Sequence, residues 1–314
     1  MEHDARIYVA GHTGMVGSAI VRKLIAEGYT NLILHSRDEL DLLDQNAVYN
    51  FFEREKPEYV FDCAARVGGI KANMEFSADF LYENLQIQNN ILWGAHMHGA
   101  TKVLFLSASC CYPRDCSQPM KEEYLLEGRV EPTNEGYAIA KIAGMKLCEK
   151  IFEQHGKDFI SCTPTNAYGL FDKFDANASH VIPAMILKFH NAKINQDLSV
   201  TMWGTGVARR DFLFVDDMAD ACLFLMNNFK VPKEGPKFVN VGTGSDVTIK
   251  ELAEIVARVV GFDGKIEWDA SKPDGMLRKS VDVTRIHDLG WSHKTNLETG
   301  IVQTYEWFLK DKIA

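Results

Sequence analysis

The chain has 314 residues, of which 46% are hydrophobic and 25% charged, and its formal net charge is −9. This length allows two lobes, and the excess of acidic residues argues against nucleic-acid binding or a polybasic membrane surface. No apolar run could span a bilayer, and the charged first residues do not resemble a signal peptide. Seven irregularly spaced cysteines predict no disulfide framework, and the histidines predict no metal site, because there is no HExxH motif and His96 and His98 have no third ligand nearby. We expect a reduced cytoplasmic protein without metal, nucleic acid or membrane partners.

Strand and helix patterns alternate in the first half of the chain. Short apolar runs predict strands over residues 6–10, 31–36, 59–64, 102–107 and 159–164. Helical periodicity predicts helices over 15–27, 76–98 and 134–154, and Asp44 is a good N-cap for a helix that ends near residue 55. Apolar strands that alternate with helices are typical of a parallel sheet covered on both faces. The sequence therefore predicts an α/β fold with a Rossmann-type doubly wound parallel sheet.

The pattern is less regular after residue 169. Helices are predicted over 180–192, 216–228, 248–260 and 297–309, strands over 200–203, 211–215 and 238–241, and loops over 171–179 and 271–278. No flexible linker separates the two halves. We predict a cofactor-binding domain over 1–169, with segments near 211–241 woven back into it, and a smaller C-terminal α/β substrate lobe over 170–314.

A glycine run follows the first predicted strand and precedes the first predicted helix. Gly11, Gly14 and Gly17 have the spacing GxxGxxG, which allows a tight turn and lets a pyrophosphate approach the helix N-terminus. By itself such a run is weak evidence, because it also occurs as a structural turn. Its position between the first strand and the first helix favours a dinucleotide site.

The end of the second predicted strand bears on the choice of dinucleotide. Folds that bind NAD usually carry an acidic residue there for the ribose hydroxyls, whereas a basic residue suits the 2′-phosphate of NADP. Here the order is His35-Ser36-Arg37-Asp38. Arg37 favours NADP(H), and the alternative is that Arg37 is a solvated surface residue while Asp38 binds the ribose of NAD.

Tyr137 and Lys141 lie four residues apart on a predicted helix, so their side chains share a face. A phenol titrates near pH 10, and we expect a neighbouring ammonium to lower the pKa of Tyr137 and make it a usable acid or base. The same spacing also occurs as a surface pair. Together with the glycine run it predicts reduction of a carbonyl at a nicotinamide cofactor.

These motifs belong to a wider pattern, in which the sequence resembles the extended short-chain dehydrogenase/reductase family, and within it the GDP-4-keto-6-deoxymannose epimerase/reductases. The resemblance extends from about residue 7 to residue 308. It rests on residues 11–17, 37–40, 64–70, 110–113, 131–137, 179–183, 211–218 and 272–275.

The resemblance implies a two-part reaction, in which a GDP-linked 4-keto sugar is epimerised at C3 and C5 and then reduced at C4 with NADPH. Tyr137 beside Lys141 would donate to the ketone or enolate oxygen, and Cys110 and His180 match the acid and base of the epimerisation. Outside this resemblance, Cys110 would be read as a small buried residue and His180 as an ordinary residue before a helix. The resemblance also implies a homodimer formed through the long helices near 76–98 and 134–154.

The resemblance carries further residues over to the two ligands. The cofactor positions are Gly11, Thr13, Gly14, Met15, Val16, Gly17, Arg37, Asp41, Leu42, Ala64, Ala65, Tyr137, Lys141 and His180. The substrate positions are Ser109, Asn166, Val181, Lys188, Trp203, Arg210 and Lys279. In an acidic chain, Lys188, Arg210 and Lys279 would supply the positive charge for a diphosphate.

Three positions depart from the family pattern. Ala108 stands where the family has a serine or threonine that hydrogen-bonds the C4 oxygen, and losing such a donor costs roughly two to three orders of magnitude in rate. Three explanations are open. Ser107 or Ser109 supplies the hydrogen bond instead, an engineered Ser-to-Ala change traps substrate, or the enzyme acts on a different sugar without this donor. Thr13 replaces an arginine that some members direct at the 2′-phosphate, and Lys188 replaces an arginine, giving a point charge instead of a bidentate fork.

Other functions remain open on the sequence alone. One is a C4 reductase without epimerisation, acting on a related GDP-4-keto sugar such as a 6-deoxy-heptose of a surface glycan. A nucleotide-sugar 4,6-dehydratase fits less well, because that branch has an Asp-Glu pair where this chain has Ser109-Cys110. A third is a non-catalytic nucleotide-binding sensor, which Ala108 favours and the Tyr137/Lys141 and Cys110/His180 pairs oppose.

Overall fold

A computed structural model of the chain describes residues 1–175, 179–272 and 274–313. Within these residues the strands are β1 (Ile7–Ala10), β2 (Leu32–Ile33), β3 (Tyr59–Asp62), β4 (Lys102–Leu106), β5 (Asp158–Pro164), β6 (Asn166–Tyr168), β7 (Ser199–Trp203), β8 (Arg209–Arg210), β9 (Phe212–Phe214), β10 (Phe238–Val241), β11 (Val247–Thr248), β12 (Lys265–Asp269) and β13 (Arg278–Lys279). The α-helices are α1 (Met15–Ala26), α2 (Gln45–Glu55), α3 (Ile70–Glu75), α4 (Ser77–Met97), α5 (Glu135–His155), α6 (Val181–Asn195), α7 (Val215–Asn228), α8 (Ile249–Val260), α9 (Thr284–Asp288) and α10 (Leu297–Ile313).

Six parallel strands form the main sheet in the order β10-β5-β4-β3-β1-β2. Helices α2, α4 and α5 pack together, and α1 packs against α7, which gives the helix layers of a doubly wound sheet. Strands β1 and β4 are buried along their whole length and β5 is buried after its first residue, which explains why these strands appear in the sequence as largely apolar runs. The predicted Rossmann-type fold is confirmed.

The second half of the chain builds three smaller sheets, with the orders β11-β8-β13, β12-β7 and β6-β9. One hydrophobic core surrounds the main sheet and includes residues of α7 and β10, and a second lies among α6, α8 and α10. β10 pairs with β5 in the main sheet, so the chain returns to the first sheet after building part of the second core. The domain division at residue 169 stays a prediction.

Several element boundaries differ from the predicted ones for local reasons. The strand predicted over 31–36 is only Leu32–Ile33, because the chain turns where the Ser36 N–H donates to Glu39 Oε2 at 2.7 Å. The predicted strand 211–215 is shorter, Phe212–Phe214 (β9), and the two residues before Asp211 form the separate strand β8, which joins a different sheet. Strand β12 was missed, and β13 begins inside the predicted loop 271–278. Part of the predicted loop 171–179 lies outside the described residues.

The N-cap assigned to Asp44 is confirmed, since its Oδ1 accepts the N–H of Ala47 at 3.0 Å. Among the described residues no helix is both long and apolar enough to cross a membrane. Over the same part of the chain, no three His, Cys, Asp or Glu side chains come together in a way that could hold a metal ion. All seven cysteines are free thiols.

Candidate active site

The glycine run forms a close turn between β1 and α1. Gly11 has φ +75°, a left-handed conformation that favours glycine, and a Cβ there would lie 3.0 Å from the backbone of Ala64 at the end of β3. A Cβ on Gly17 would lie 2.2 Å from the carbonyl oxygen of Gly11. Both glycines are therefore required for the first turn of α1 to approach the ends of β1 and β3.

The N-terminus of α1 is open to a ligand. Gly14 is the N-cap residue and offers no side-chain cap, and the first turn contains no acidic residue. Thr13 and Gly14 are exposed, while Met15 and Val16 are half-buried. Free N–H groups at a helix N-terminus, approached through glycines, suit the pyrophosphate of a dinucleotide. The residues of this turn fit the cofactor that the sequence predicts.

We expect Gly17→Ala to abolish dinucleotide binding and to lower the melting temperature, because the new methyl group would overlap the carbonyl of Gly11. Titration of nicotinamide fluorescence and thermal unfolding measure the two effects. Gly14→Ala is the matched control for folding, because its Cβ would lie at an ordinary 3.4 Å from the same oxygen. Wild-type cofactor affinity in Gly17→Ala would contradict this account of the turn.

The predicted adenosine side of the site follows β2. Arg37 is exposed and makes no ion pair with any described residue, so its guanidinium is available to a phosphate. Asp41 Oδ1 accepts the N–H of Leu43 at 3.0 Å, and the carbonyl of Leu42 accepts the side-chain amide of Asn90 at 2.9 Å. Ala65, with Ala64, is half-buried just beyond β3.

Tyr137 and Lys141 lie in the first turns of α5, beyond the carboxyl end of β4. The Lys141 ammonium is buried and donates to the carbonyl of Leu106 at 2.8 Å, with Nζ 5.9 Å from the centre of the Tyr137 ring. The Tyr137 ring packs edge-on against Phe80 of α4 with ring centroids 6.5 Å apart. The two side chains thus share a face, as the spacing predicts.

The pKa expected for Tyr137 needs correction. Burial raises the pKa of the phenol well above its ordinary value, and the neighbouring thiols of Cys110 and Cys111 raise it further. The expectation that Lys141 lowers it is wrong for this site, because the ammonium is directed at the Leu106 carbonyl instead of the hydroxyl. A phenol that keeps its proton at neutral pH is suited to donate that proton.

Cys110 lies in a short 3-10 helix, Ser109–Cys111, that follows β4. Its neighbour Cys111, through a thiol hydrogen bond, and then the charges of Lys279 and Lys141 lower the pKa of Cys110 to about 7 although the thiol is buried. A thiol that titrates near pH 7 can both give and take a proton. Cys110 in turn raises the pKa of Tyr137, which indicates that the thiol and the phenol belong to one site.

His180 is the N-cap residue of α6, and its ring is largely exposed. Its Nδ1 lies 3.9 Å from Oδ1 of Asp172, and the Asp172 carboxylate raises the pKa of His180. Asp172 is a partner that the sequence analysis missed. A carboxylate that favours the protonated form of an imidazole makes it better suited to act as an acid.

A pair of cations faces the site from the β8–β13 ladder. Arg209 pairs with Arg278 and Arg210 with Lys279 in this parallel register. The first pair is neutralised by Asp246, which accepts from the guanidinium groups of both arginines. Neither member of the second pair forms a salt bridge with a described residue, and Lys279 lies close enough to Cys110 to shift its pKa. Arg210 Nη1 donates to the carbonyl oxygens of Arg209 and Met276, which hold the guanidinium in place without neutralising it. The positive charges of Arg210 and Lys279 therefore remain available to an anion.

The other predicted substrate residues are spread over the second half of the chain. Asn166 donates its amide to the carbonyl of Asp211 at 2.8 Å, which leaves its oxygen free, and Lys188 donates to the carbonyl of Thr201. Trp203 at the end of β7 is 71% exposed and is therefore not part of the core. Val181 is the first residue of α6 and lies next to His180.

Ala108 lies between β4 and the helix of Cys110, in extended conformation. Ser107 cannot replace the missing hydroxyl, since its Oγ contacts Met145 Sδ at 2.9 Å and Cys111 Sγ at 3.2 Å inside the core. The buried Ser109 makes no side-chain hydrogen bond with a described residue. Of the two serines, only Ser109 remains available to a ligand.

The comparisons with known proteins agree with this geometry. Residues 7–242 match the model of the NAD dependent epimerase/dehydratase family, and the chain belongs to this family. It is 52% identical over 310 residues to GDP-L-fucose synthase 1 of Arabidopsis thaliana, covering 99% of this chain and 95% of the relative. It is 50% identical over 312 residues to the GDP-L-fucose synthase of Escherichia coli K12, covering 98% and 97%.

Solved structures of Campylobacter jejuni reductases are also similar. The GDP-6-OMe-4-keto-L-xylo-heptose reductase aligns with a TM-score of 0.93 at 39% identity, covering 99% of each chain. The GDP-mannoheptose C4 reductase MlghC, with NADP bound, aligns with a TM-score of 0.90 at 40% identity, covering 98% of this chain and 99% of that one. The resemblance stated from the motifs, to epimerase/reductase enzymes, is confirmed.

Proposed function

We propose that this chain epimerises a GDP-linked 4-keto-6-deoxy sugar at C3 and C5 and then reduces its C4 ketone with NADPH. The observation that carries the proposal is the position of Lys141 Nζ, 5.9 Å from the centre of the Tyr137 ring and 2.8 Å from the carbonyl oxygen of Leu106, at the strand end that leads into the short helix of Cys110. The charges of Lys141 and Lys279 also lower the pKa of the Cys110 thiol, which supports one site with proton donors, a titratable thiol and a cation. The named GDP-L-fucose synthases among its relatives support the same reaction.

In this reaction Tyr137 donates a hydrogen bond to the C4 oxygen. During epimerisation the bond stabilises the enolate that forms when a proton leaves C3 or C5. During reduction the phenol protonates the C4 oxygen, and bound NADPH supplies the hydride to the C4 carbon. The raised pKa of Tyr137 keeps that proton available at neutral pH.

Epimerisation needs a base on one face of the sugar ring and an acid on the other. We assign these roles to Cys110 and His180. The thiol of Cys110, with its pKa near 7, removes a proton adjacent to the ketone, and the imidazole of His180, whose protonated form Asp172 favours, returns one.

The cation pair of Arg210 and Lys279 is assigned to the GDP diphosphate. Lys188 would add a third positive charge, and the exposed indole of Trp203 offers a face on which a base or sugar can stack. Asn166 and Ser109 would hydrogen-bond the sugar, and Val181 would line it. These assignments follow the family resemblance.

NADPH is the proposed reductant. Arg37 supports this choice because it is exposed and forms no ion pair with any residue that the structure describes. Because Thr13 stands where some members have a second arginine, Arg37 is the main determinant of the preference for NADPH over NADH. The residues assigned to the rest of the dinucleotide are Gly11, Gly14, Gly17, Asp41, Leu42 and Ala64. Binding of NADP in MlghC, at 40% identity, is consistent with it.

A C4 reductase without epimerisation is the second candidate. Two observations favour it, namely Ala108 in place of the expected hydroxyl donor and the similarity to the two C. jejuni heptose reductases. The retained Cys110 and His180 favour the bifunctional enzyme. Product analysis with both types of 4-keto sugar separates the two candidates.

We expect Ala108→Ser to raise turnover, because a hydroxyl at this position would restore a donor to the C4 oxygen and Ser107 cannot supply one. The rate of NADPH oxidation under saturating substrate measures the effect. Ser109→Ala is the informative companion, since it lowers the rate only if Ser109 has taken over the role. An unchanged or lower rate in Ala108→Ser would mean that no donor is missing.

A homodimer in the cytoplasm completes the proposal. Helices α4 and α5 pack together and carry exposed apolar side chains, including Tyr82 at 66%, Trp93 at 39% and Ile139 at 43% exposure. Such residues on neighbouring helices suit a second copy of the chain. Sedimentation of Tyr82→Glu, which should be monomeric, tests this part separately from the chemistry.

The function itself is tested by incubating the protein with GDP-4-keto-6-deoxymannose and either NADPH or NADH. We expect NADPH oxidation, a preference over NADH of roughly tenfold or more that Arg37→Ala removes, and a GDP-6-deoxy sugar inverted at C3 and C5. Oxidation only with a 4-keto heptose substrate would replace the proposal with the second candidate. Binding of NADPH without turnover of any 4-keto sugar would indicate a non-catalytic nucleotide-binding sensor.

A further inference from the structure

Asp62 is a buried carboxyl group for which the proposed chemistry has no use. It is the last residue of β3, its exposure is 0%, and neither carboxylate oxygen has a hydrogen-bond partner of good geometry among the described residues. A buried carboxylate without partners is costly, and such groups are rare in proteins. Its position at the end of the run Tyr59-Val60-Phe61 makes it the polar residue of an otherwise apolar strand.

The strand register shows which face of the sheet Asp62 occupies. Asp62 pairs with Phe105 of β4 in the parallel ladder, and residues paired in this way direct their side chains to the same face. The Phe105 ring lies against α5, where a Cβ on Gly144 would be only 2.4 Å from it. The Asp62 carboxyl therefore lies on the face that α5 covers.

Lys141 of α5 lies over the same strand ends. Its Nζ is 2.8 Å from the carbonyl oxygen of Leu106 and 4.6 Å from the centre of the Phe105 ring, and the side chain is 3% exposed. No carboxylate forms a salt bridge with it within the described chain. Of the groups that act on the pKa of Lys141, Asp62 is the carboxyl and the others are thiols.

We propose that Asp62 is the buried counter-charge of Lys141 and acts through it, as a positioning residue, on proton transfer at Tyr137. This inference rests on the proposed function for its catalytic consequence only. A charge on Asp62 favours the ammonium form of Lys141, which burial disfavours. The free-energy cost of burying this unpartnered carboxylate is then explained by the role of Asp62 in the site.

The directions of the two pKa shifts agree with this arrangement. Burial lowers the pKa of Lys141, and Asp62 opposes that shift. Burial raises the pKa of Asp62 to about 7, against the influence of Lys141 and the Ala64 N–H. Asp62 is therefore charged above about pH 7 and neutral below it. The counter-charge is present in the alkaline range, where Lys141 would otherwise lose its proton.

The other titratable groups near Asp62 are neutral under the same conditions. Tyr8 of β1, Cys63 beside it in the chain, and Cys148 of α5 all have pKa values that burial and the Asp62 charge raise. They carry no charge at neutral pH and cannot replace Asp62. Among the groups that face it, Lys141 is the one with opposite charge.

A double-mutant cycle on stability tests the counter-charge without any substrate. We expect Asp62→Asn and Lys141→Met to couple, changing the unfolding equilibrium constant by about tenfold at pH 8.5, with the coupling lost near pH 5 where Asp62 is neutral. Asp62→Leu replaces Asp62→Asn if the amide variant does not fold. Absence of coupling at both pH values would overturn the proposal.

The pH profile of kcat for NADPH oxidation tests the catalytic consequence. In Asp62→Asn the alkaline limb of the kcat profile should shift to lower pH by about one unit, because Lys141 loses its proton at a lower pH. The KM for NADPH should stay unchanged. Glu122→Gln is the control, since this buried carboxyl binds the N–H of Asn240 and should leave that limb in place. A limb that coincides with wild type in Asp62→Asn would overturn the proposal. Coupling in a protein that turns over no 4-keto sugar would uphold the counter-charge and refute the proposed function.

Discussion

Replacing Tyr137 with phenylalanine is expected to lower the rate of C4 reduction by about 10²–10⁴-fold while the protein stays folded. The ring contact with Phe80 is kept in this variant, and the lost hydroxyl makes no hydrogen bond within the described chain. The thermal unfolding temperature should therefore not change. NADPH oxidation by stopped-flow absorbance measures the rate.

The same variant should slow deuterium exchange at C3 and C5, because the enolate oxygen loses a donor. Binding of NADPH should persist, since the glycine turn at α1 is untouched. Tyr49→Phe, which removes a tyrosine hydroxyl from the surface helix α2, is the matched control and should catalyse the reduction at the wild-type rate. Near-normal reduction by Tyr137→Phe would show that another group protonates the C4 oxygen.

Replacing Cys110 with serine is expected to abolish exchange at C3 and C5 but to keep reduction of a substrate that is already epimerised. A serine hydroxyl does not ionise near neutral pH and cannot serve as the base. In the wild type, exchange should rise with pH through about 7, because the pKa of Cys110 lies there and the thiolate is the base. Proton NMR in heavy water follows the exchange at each pH.

Two neighbouring cysteines supply the controls for this experiment. Cys116→Ser alters a partly exposed thiol outside the site and should leave the profile unchanged. Cys111→Ala removes the largest influence that lowers the pKa of Cys110, so the midpoint of exchange should move toward alkaline pH. If exchange in Cys110→Ser equals that of the wild type, the base is another residue.

The main sheet could be predicted from the sequence because its strands are buried on both faces and therefore leave continuous apolar runs. The β8–β13 ladder could not, since strands of two residues carry no periodic signal and depend on their partners. This ladder separates the neutralised pair Arg209/Arg278 from the free pair Arg210/Lys279. The sequence pointed to Arg210 and Lys279 as basic residues of the site, but it did not show that they lack the acidic partner that neutralises their neighbours.

The chemistry of the site was predictable in residue identity but not in electrostatics. Spacing placed Tyr137 and Lys141 on one face, yet the raised pKa of the phenol depends on burial, which spacing does not reveal. The contact between Asp172 and His180 joins a loop to a helix N-terminus and left no pattern. Asp62 did leave a signal, a carboxyl group at the end of an apolar strand, and the strand register was needed to relate it to Lys141.

The central claim is that one site carries out both epimerisation and reduction. A single reaction in heavy water, with GDP-4-keto-6-deoxymannose and NADPH, tests it most directly when cofactor oxidation and the label in the product are measured together. The account predicts that NADPH is consumed and that deuterium appears at both C3 and C5. Consumption of NADPH with no deuterium at either carbon would contradict it and leave a reductase alone.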